Sequence, residues 1–157
     1  MSTDWLTALE PGLLPHVGGA AEAAPPVSFE PLLPRHVEAC LALWAAEGMV
    51  HEDDPAARAL ELLELCPGLS WVALRGGLVV GCALAGYYGF AGQIFRVVVD
   101  PSQRGQGIGS SLVNRCVESL RERGARRVVL GCEDRLASWY ARLGFGPSPA
   151  RFLVRGL

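Results

Sequence analysis

The densest chemical signal in this chain is the run Arg104-Gly105-Gln106-Gly107-Ile108-Gly109-Ser110. Glycines let the backbone take positive φ and let a ligand approach the main chain with no Cβ in the way. Helical spacing of apolar residues begins at Ile108, so the run feeds a helix amino terminus, whose first-turn N–H groups and dipole favour a phosphate. The plain alternative is a turn that merely enters a helix. A Walker A loop needs Gly-Lys-Ser/Thr, and this chain has no lysine. A dinucleotide GxGxxG loop needs a third glycine where Ser110 stands. What remains is a pyrophosphate cradle of another kind.

Other residue types with chemistry are scattered. Cys40, Cys66, Cys82, Cys116 and Cys132 are odd in number and form no CxxC pair, which argues against a disulfide framework and a zinc site. They read as small buried hydrophobes, and no metal is expected. His51-Glu52-Asp53-Asp54 offers carboxylates either to a cationic amine or, as a hydrated cap, to the next helix. Tyr87 and Tyr88 either line a binding site or sit at a sheet edge. The net charge of −2 hides an asymmetry, with acids concentrated before Gln93 and arginines after it. That split suits a polyanion on the carboxyl-terminal half, or two solvated surfaces that happen to differ.

The elements that must position these groups follow from periodicity. Residues 1–26 are rich in Ala, Pro and Gly and read as a flexible extension before one domain at 27–157. Val27 to Pro31 reads as a strand (β1). A helix (α1) runs from Pro34 to Gly48, and a second (α2) opens at Pro55 behind an aspartate N-cap and stops at Pro67. Trp71 to Leu74 (β2) and Leu78 to Ala85 (β3) form a hairpin about Gly76 and Gly77. Gln93 to Val99 is β4, Ile108 to Arg123 is α3, and Arg127 to Cys132 is β5. A helix carrying Leu136, Trp139, Tyr140 and Leu143 is α4, and Ala150 to Val154 (β6) closes the sheet. The expected order is β1-α1-α2-β2-β3-β4-α3-β5-α4-β6: an α/β fold with a mixed, mostly antiparallel sheet and helices on both faces. No apolar run reaches the ~20 residues of a membrane span, and no secretory signal is recognisable. A soluble, cytoplasmic protein is expected, with no membrane partner and with a homodimer compatible.

With the cradle and the elements in place, the chain resembles the GNAT superfamily of acetyltransferases. Arg104, Gly107 and Gly109 match its Arg/Gln-x-x-Gly-x-Gly/Ala motif between fourth strand and third helix. Trp139-Tyr140-Ala141-Arg142-Leu143-Gly144-Phe145 is similar to its aromatic-Tyr-x-x-Leu-Gly-Phe ending. The resemblance covers about residues 27–157 and implies acetyl-CoA as cofactor, lying in a split between β4 and β5. It implies that Val97, Val98 and Val99 contact pantetheine and the acetyl carbonyl through main-chain groups, as an oxyanion-type donor. It assigns the pyrophosphate to Arg104, Gly105, Gln106, Gly107, Ile108, Gly109 and Ser110. Tyr140 matches the tyrosine that protonates the departing thiolate, which a phenol can do at neutral pH; a core aromatic is its plain reading.

Departures from the pattern bear on the base and the acceptor. Gln93 stands where many relatives carry a glutamate that deprotonates the amine. Glu133 occupies the place of an asparagine that touches the cofactor; Glu133 and Asp134 are substitutes for it, or Asp134 is a helix cap. Glu52, Asp53, Asp54, Tyr87 and Gln93 form the candidate acceptor site, and the acidic loop favours a cationic small molecule. The implied function is transfer of acetyl from acetyl-CoA to a primary amine, whether a small molecule, a peptide amino terminus or a lysine. A non-catalytic acyl-CoA binding module is the competing reading. Nucleic acid is not expected as a partner, because no aromatic stacking platform accompanies the arginines.

Overall fold

The computed structural model describes residues 23–51 and 53–156. Five strands, β1 (Val27–Pro31), β2 (Trp71–Arg75), β3 (Leu78–Tyr87), β4 (Gly92–Val99) and β5 (Val128–Val129), form one sheet in chain order. Every neighbouring pair is antiparallel except β4 with β5, which is parallel. Helices α1 (Val37–Ala46) and α2 (Pro55–Leu65) cover one face, while α3 (Ile108–Arg123) packs on the other and α4 (Asp134–Arg142) follows β5.

The central strand shows why two faces exist. Along β3, Ala83 and Ala85 pack with Leu112, Val113, Cys116 and Leu120 of α3, while the alternate residues Cys82 and Leu84 pack with Val37, Cys40 and Trp44 of α1. Period-two alternation thus feeds two cores from one strand, and the apolar run needs no polar face. Burial pushes the Cys116 thiol up to about 12, so it stays neutral in the core.

Helix ends follow their local chemistry. The Asp54 carboxylate accepts the Ala57 N–H at 2.9 Å and Pro55 holds the first turn, which starts α2 where expected. Gly124, at φ +104°, ends α3. One close approach fixes how α3 meets the sheet: a Cβ built on Gly92 would lie 2.5 Å from the Leu120 methyls. Gly92→Ala is therefore expected to cost about 1–3 kcal/mol of overpacking. In chemical denaturation, Gly92→Ala with Leu120→Ala should lose less than the sum of the single losses. Strict additivity would show that this contact is not tight.

Two expectations need correction. Ala150 to Val154 does not close the sheet: 150–156 carries no regular structure, and Phe152, Leu153 and Val154 are exposed. The reason is the length of β5, whose two residues offer too short an edge for another strand. Cys132 is likewise not a core residue. It is exposed, unlike the other four cysteines, because the chain leaves the sheet after Val129.

Residues 1–22 and Glu52 lie outside the described residues. Among the described residues, no helix is long and apolar enough to cross a membrane and no cluster suited to a metal ion occurs.

Candidate active site

The short β5 also opens the site. β4 and β5 pair only at Gly92 with Val128 and Gln93 with Val129. Beyond that pair β4 continues to Val99 while the chain after Val129 diverges, leaving a V-shaped split. A cavity of about 330 Å³ occupies it, walled by Ile94 to Val97 on β4, Gly131 to Glu133 after β5, and Leu136 and Tyr140 of α4. Met49, just past α1, reaches its rim.

A bulge in β4 decides which backbone groups face this split. Cys82 pairs with Val98 but Leu84 with Phe95, so Arg96 and Val97 together oppose Ala83. Before the bulge, the Gly92 N–H donates to the Arg127 carbonyl on the β5 side; after it, the Asp100 N–H donates to Val80 on β3. One extra residue has reversed the alternation. Val97 and Val99 therefore turn their N–H and C=O groups toward the split, while Val98, expected to act with them, faces β3. Arg96 takes φ +55°, which costs a residue with a Cβ about 1–2 kcal/mol.

At the far end of this edge lies the glycine turn. Gly105 and Gly107 adopt φ +78° and +77°, and a Cβ at either would project into open space. Gly107 occupies the N-cap of α3 and has no side chain to cap it, and the first intrahelical bond runs from the Ser111 N–H to the Gly107 carbonyl at 3.0 Å. The amides of Ile108, Gly109 and Ser110 are thus the orphan donors of a helix start, in space a Cβ would fill and with the dipole behind them. An anionic diphosphate fits this cradle. Neighbouring side chains fix its approach: Arg104 donates from Nε to the Val99 carbonyl at 3.0 Å and pairs with Glu47 at 2.7 Å, and Arg75 donates to Gln106 Oε1 at 2.6 Å. Asp100 accepts from the Ser102 hydroxyl and N–H, which hold its carboxyl below the usual range and pin the preceding turn.

Tyr140 lines the same cavity from α4. It is only 8% exposed, with Trp139 at 4.7 Å and Phe145 at 5.8 Å, both edge-on to its ring. Burial raises its pKa above the usual phenol value, and the nearby Cys132 adds to the shift. Its hydroxyl therefore carries a proton throughout the neutral range.

A family model described as the acetyltransferase (GNAT) family matches residues 37–145. The chain belongs to this family. A probable glucosamine 6-phosphate N-acetyltransferase of Oryza sativa subsp. japonica is 37% identical over 112 residues, covering 68% of this chain and 61% of that one. The chain thus spans about three fifths of that relative's length. An acetyltransferase of Sodalis glossinidius is 31% identical, covering 69% of this chain and 79% of the other. In fold, the GNAT chain is similar to a protein from Clostridium acetobutylicum described as a predicted acetyltransferase and solved with acetyl-CoA, at TM-score 0.71, 14% identity, and 83% and 96% coverage.

Several residues singled out in the GNAT chain lie away from the cavity. Gln93 sits where β4 and β5 still pair. Tyr87 donates its hydroxyl to the Gly89 carbonyl at 2.9 Å, at the far end of β3. Asp54 is the α2 cap, and neither it nor Asp53 lines this cavity. Asp134 enters the first turn of α4 rather than capping it: Glu133 holds the N-cap place, without a side-chain cap bond. Glu133 does line the cavity, but Arg135 bonds it at 2.6 Å and holds its carboxyl below the usual range. Sequence reasoning passed over Phe95, Arg96 and Cys132, which do line it; Arg96-Val97-Val98-Val99 reads as unbroken strand, with no glycine to betray the bulge.

Proposed function

We propose that residues 27–157 form a cytoplasmic N-acetyltransferase that moves an acetyl group from acetyl-CoA to a primary amine by direct attack in a ternary complex. The observation that carries this reading is geometric. An uncapped helix amino terminus follows a strand edge that β5 leaves unpaired, and a buried, protonated tyrosine lines the cavity beside that edge. Acetyl-CoA, when bound, supplies an acyl group activated as a thioester.

The chain's own groups do the rest. The cradle amides of residues 105–110 hold the pyrophosphate, and the edge at Val97 and the Val99 N–H, where the Val99 carbonyl already accepts from Arg104, aligns the pantetheine arm. A Val97 N–H already fixed by the bulge is pre-organised to take charge developing on the carbonyl oxygen, which is where such donors help most. Tyr140 Oη holds the proton that goes to the departing sulfur. Among the described residues, the carboxylate that lines the cavity is Glu133, and Arg135 lowers its pKa and makes it a weak base, so the amine enters as its free base and the proton its nitrogen loses on forming the amide goes to water, from which Tyr140 regains the proton it gave the sulfur. The rice relative's acceptor is named as glucosamine 6-phosphate, which is a primary amine of this class.

Two measurements test the reading. Calorimetric titration should show saturable acetyl-CoA binding at least about tenfold tighter than adenosine diphosphate, followed by thiol release with amines; no binding would overturn it. The pH profile is a second prediction. kcat/KM should rise with pH as the acceptor deprotonates and show no fall below about pH 10, because the raised Tyr140 pKa keeps the donor protonated. A descending limb near pH 8 would remove Tyr140 as the acid. The position of Gln93 outside the cavity favours a second reading, a non-catalytic acyl-CoA binding module, which binding without turnover on any amine would select.

A further inference from the structure

The arginines that follow Gln93 do not all serve the glycine turn. Arg104 stands in it, but Arg123, Arg126 and Arg127 lie at the far end of α3, whose 16 residues carry the chain about 24 Å from the cradle. All three are exposed, and among the described residues none has a side-chain hydrogen bond or ion pair. The acids beside them are Glu118, which bonds Arg121 at 2.6 Å, and Glu122. Residues 118–127 thus set four arginines against two glutamates.

The same end of the sheet carries two exposed aromatics. The turn between β3 and β4 is closed by the Tyr88 N–H on the Ala91 carbonyl at 3.2 Å, and it leaves Tyr88 54% and Phe90 81% exposed. Parallel pairing sets Gly92 beside Val128, and the Gly92 N–H donates to the Arg127 carbonyl at 2.9 Å. Phe90 and Arg126 each stand two residues before that pair, so the aromatic turn and the arginines emerge side by side. Tyr87 ties the turn to the end of α3, its hydroxyl 3.6 Å from where a Cβ on Gly124 would stand.

We infer that this end of the molecule binds a single-stranded nucleic acid, with bases stacked on Tyr88 and Phe90 and phosphates held by Arg123, Arg126 and Arg127. Nothing in this binding depends on acetyl transfer. Along the sequence no aromatic platform accompanies these arginines, and a nucleic-acid partner is not expected; the pairing of β4 with β5 supplies the platform.

Charge and shape favour this partner over an anionic membrane. Three unpaired arginines fall short of the cluster of about four to eight basic residues that marks a lipid-binding surface, and the turn offers two aromatics separated by Gly89 rather than the long apolar face that enters a bilayer. Stacking asks for less, because every base has a π-face and successive bases can lie on single aromatic side chains. Arginine suits the phosphates, since its planar fork meets their oxygens in pairs.

The test is fluorescence anisotropy of a labelled, mixed-sequence RNA of about ten nucleotides titrated with the full chain, beside the same strand in a duplex and beside vesicles of phosphatidylcholine and phosphatidylserine. At about 50 mM salt the single strand should bind with a Kd of about 100 μM or tighter, and log K should fall against log salt with a slope of about −2, as three phosphate contacts on a single strand require. Tyr88→Ala and Phe90→Ala should each weaken binding about fivefold or more. Arg126→Gln combined with Arg127→Gln should flatten the slope to about −0.7. All four side chains are exposed, so melting temperatures should stay near wild type. No binding at that salt, binding that the aromatic variants leave unchanged, or a duplex bound more tightly than the single strand overturns the inference. Vesicle binding without RNA binding overturns it as well and makes this end a membrane-docking face.

Discussion

Gly107→Val is expected to abolish saturable acetyl-CoA binding while leaving the protein folded. Two effects act together at this position. The residue sits at φ +77°, where a β-branched side chain is strained, by about 1–2 kcal/mol or somewhat more. That alone shifts the loop rather than unfolding it, because Gly107 is exposed and nothing lies within 4 Å of where a Cβ would be. The larger effect is on the ligand: the empty space beside the orphan amides of Ile108 to Ser110 is where a pyrophosphate would rest, and a valine fills it. Calorimetry should show a loss of affinity of about a hundredfold or more, and thermal melting should shift by only a few degrees. A variant that bound acetyl-CoA normally would show that the cradle lies elsewhere.

This site was legible in the sequence to the extent that local chemistry dictates it. Gly105 and Gly107 announce a backbone with positive φ, and Asp54-Pro55 announces a helix start, because each effect acts within three or four residues. The β4 bulge is different. Arg96 has no local reason to leave the strand; it is displaced because Ala83 stands opposite two residues, a register fixed by pairs on either side of it. The direction in which Val98 faces follows from that register and is invisible to periodicity. The tail shows the converse error: Phe152, Leu153 and Val154 have every local preference for a strand, yet a strand needs an edge, and β5 provides only two residues of one.

Tyr140→Phe carries the other large effect, and it separates chemistry from binding. The substitution keeps the ring, so the edge-on contacts with Trp139 and Phe145 survive and the fold should be unaffected within about 1 kcal/mol. It removes only the hydroxyl, whose proton is kept available by the burial that raises its pKa. Positioned proton donors contribute about a hundredfold or more to such steps, so kcat should fall by that amount while the acetyl-CoA Kd stays within about twofold. The size of the loss should also track the leaving group: an acyl donor whose thiol departs readily without a proton should suffer less than acetyl-CoA. Unchanged turnover would assign Tyr140 to packing alone, and a parallel loss of cofactor affinity would make it a binding residue; only a fall in kcat with Kd preserved matches a proton donor.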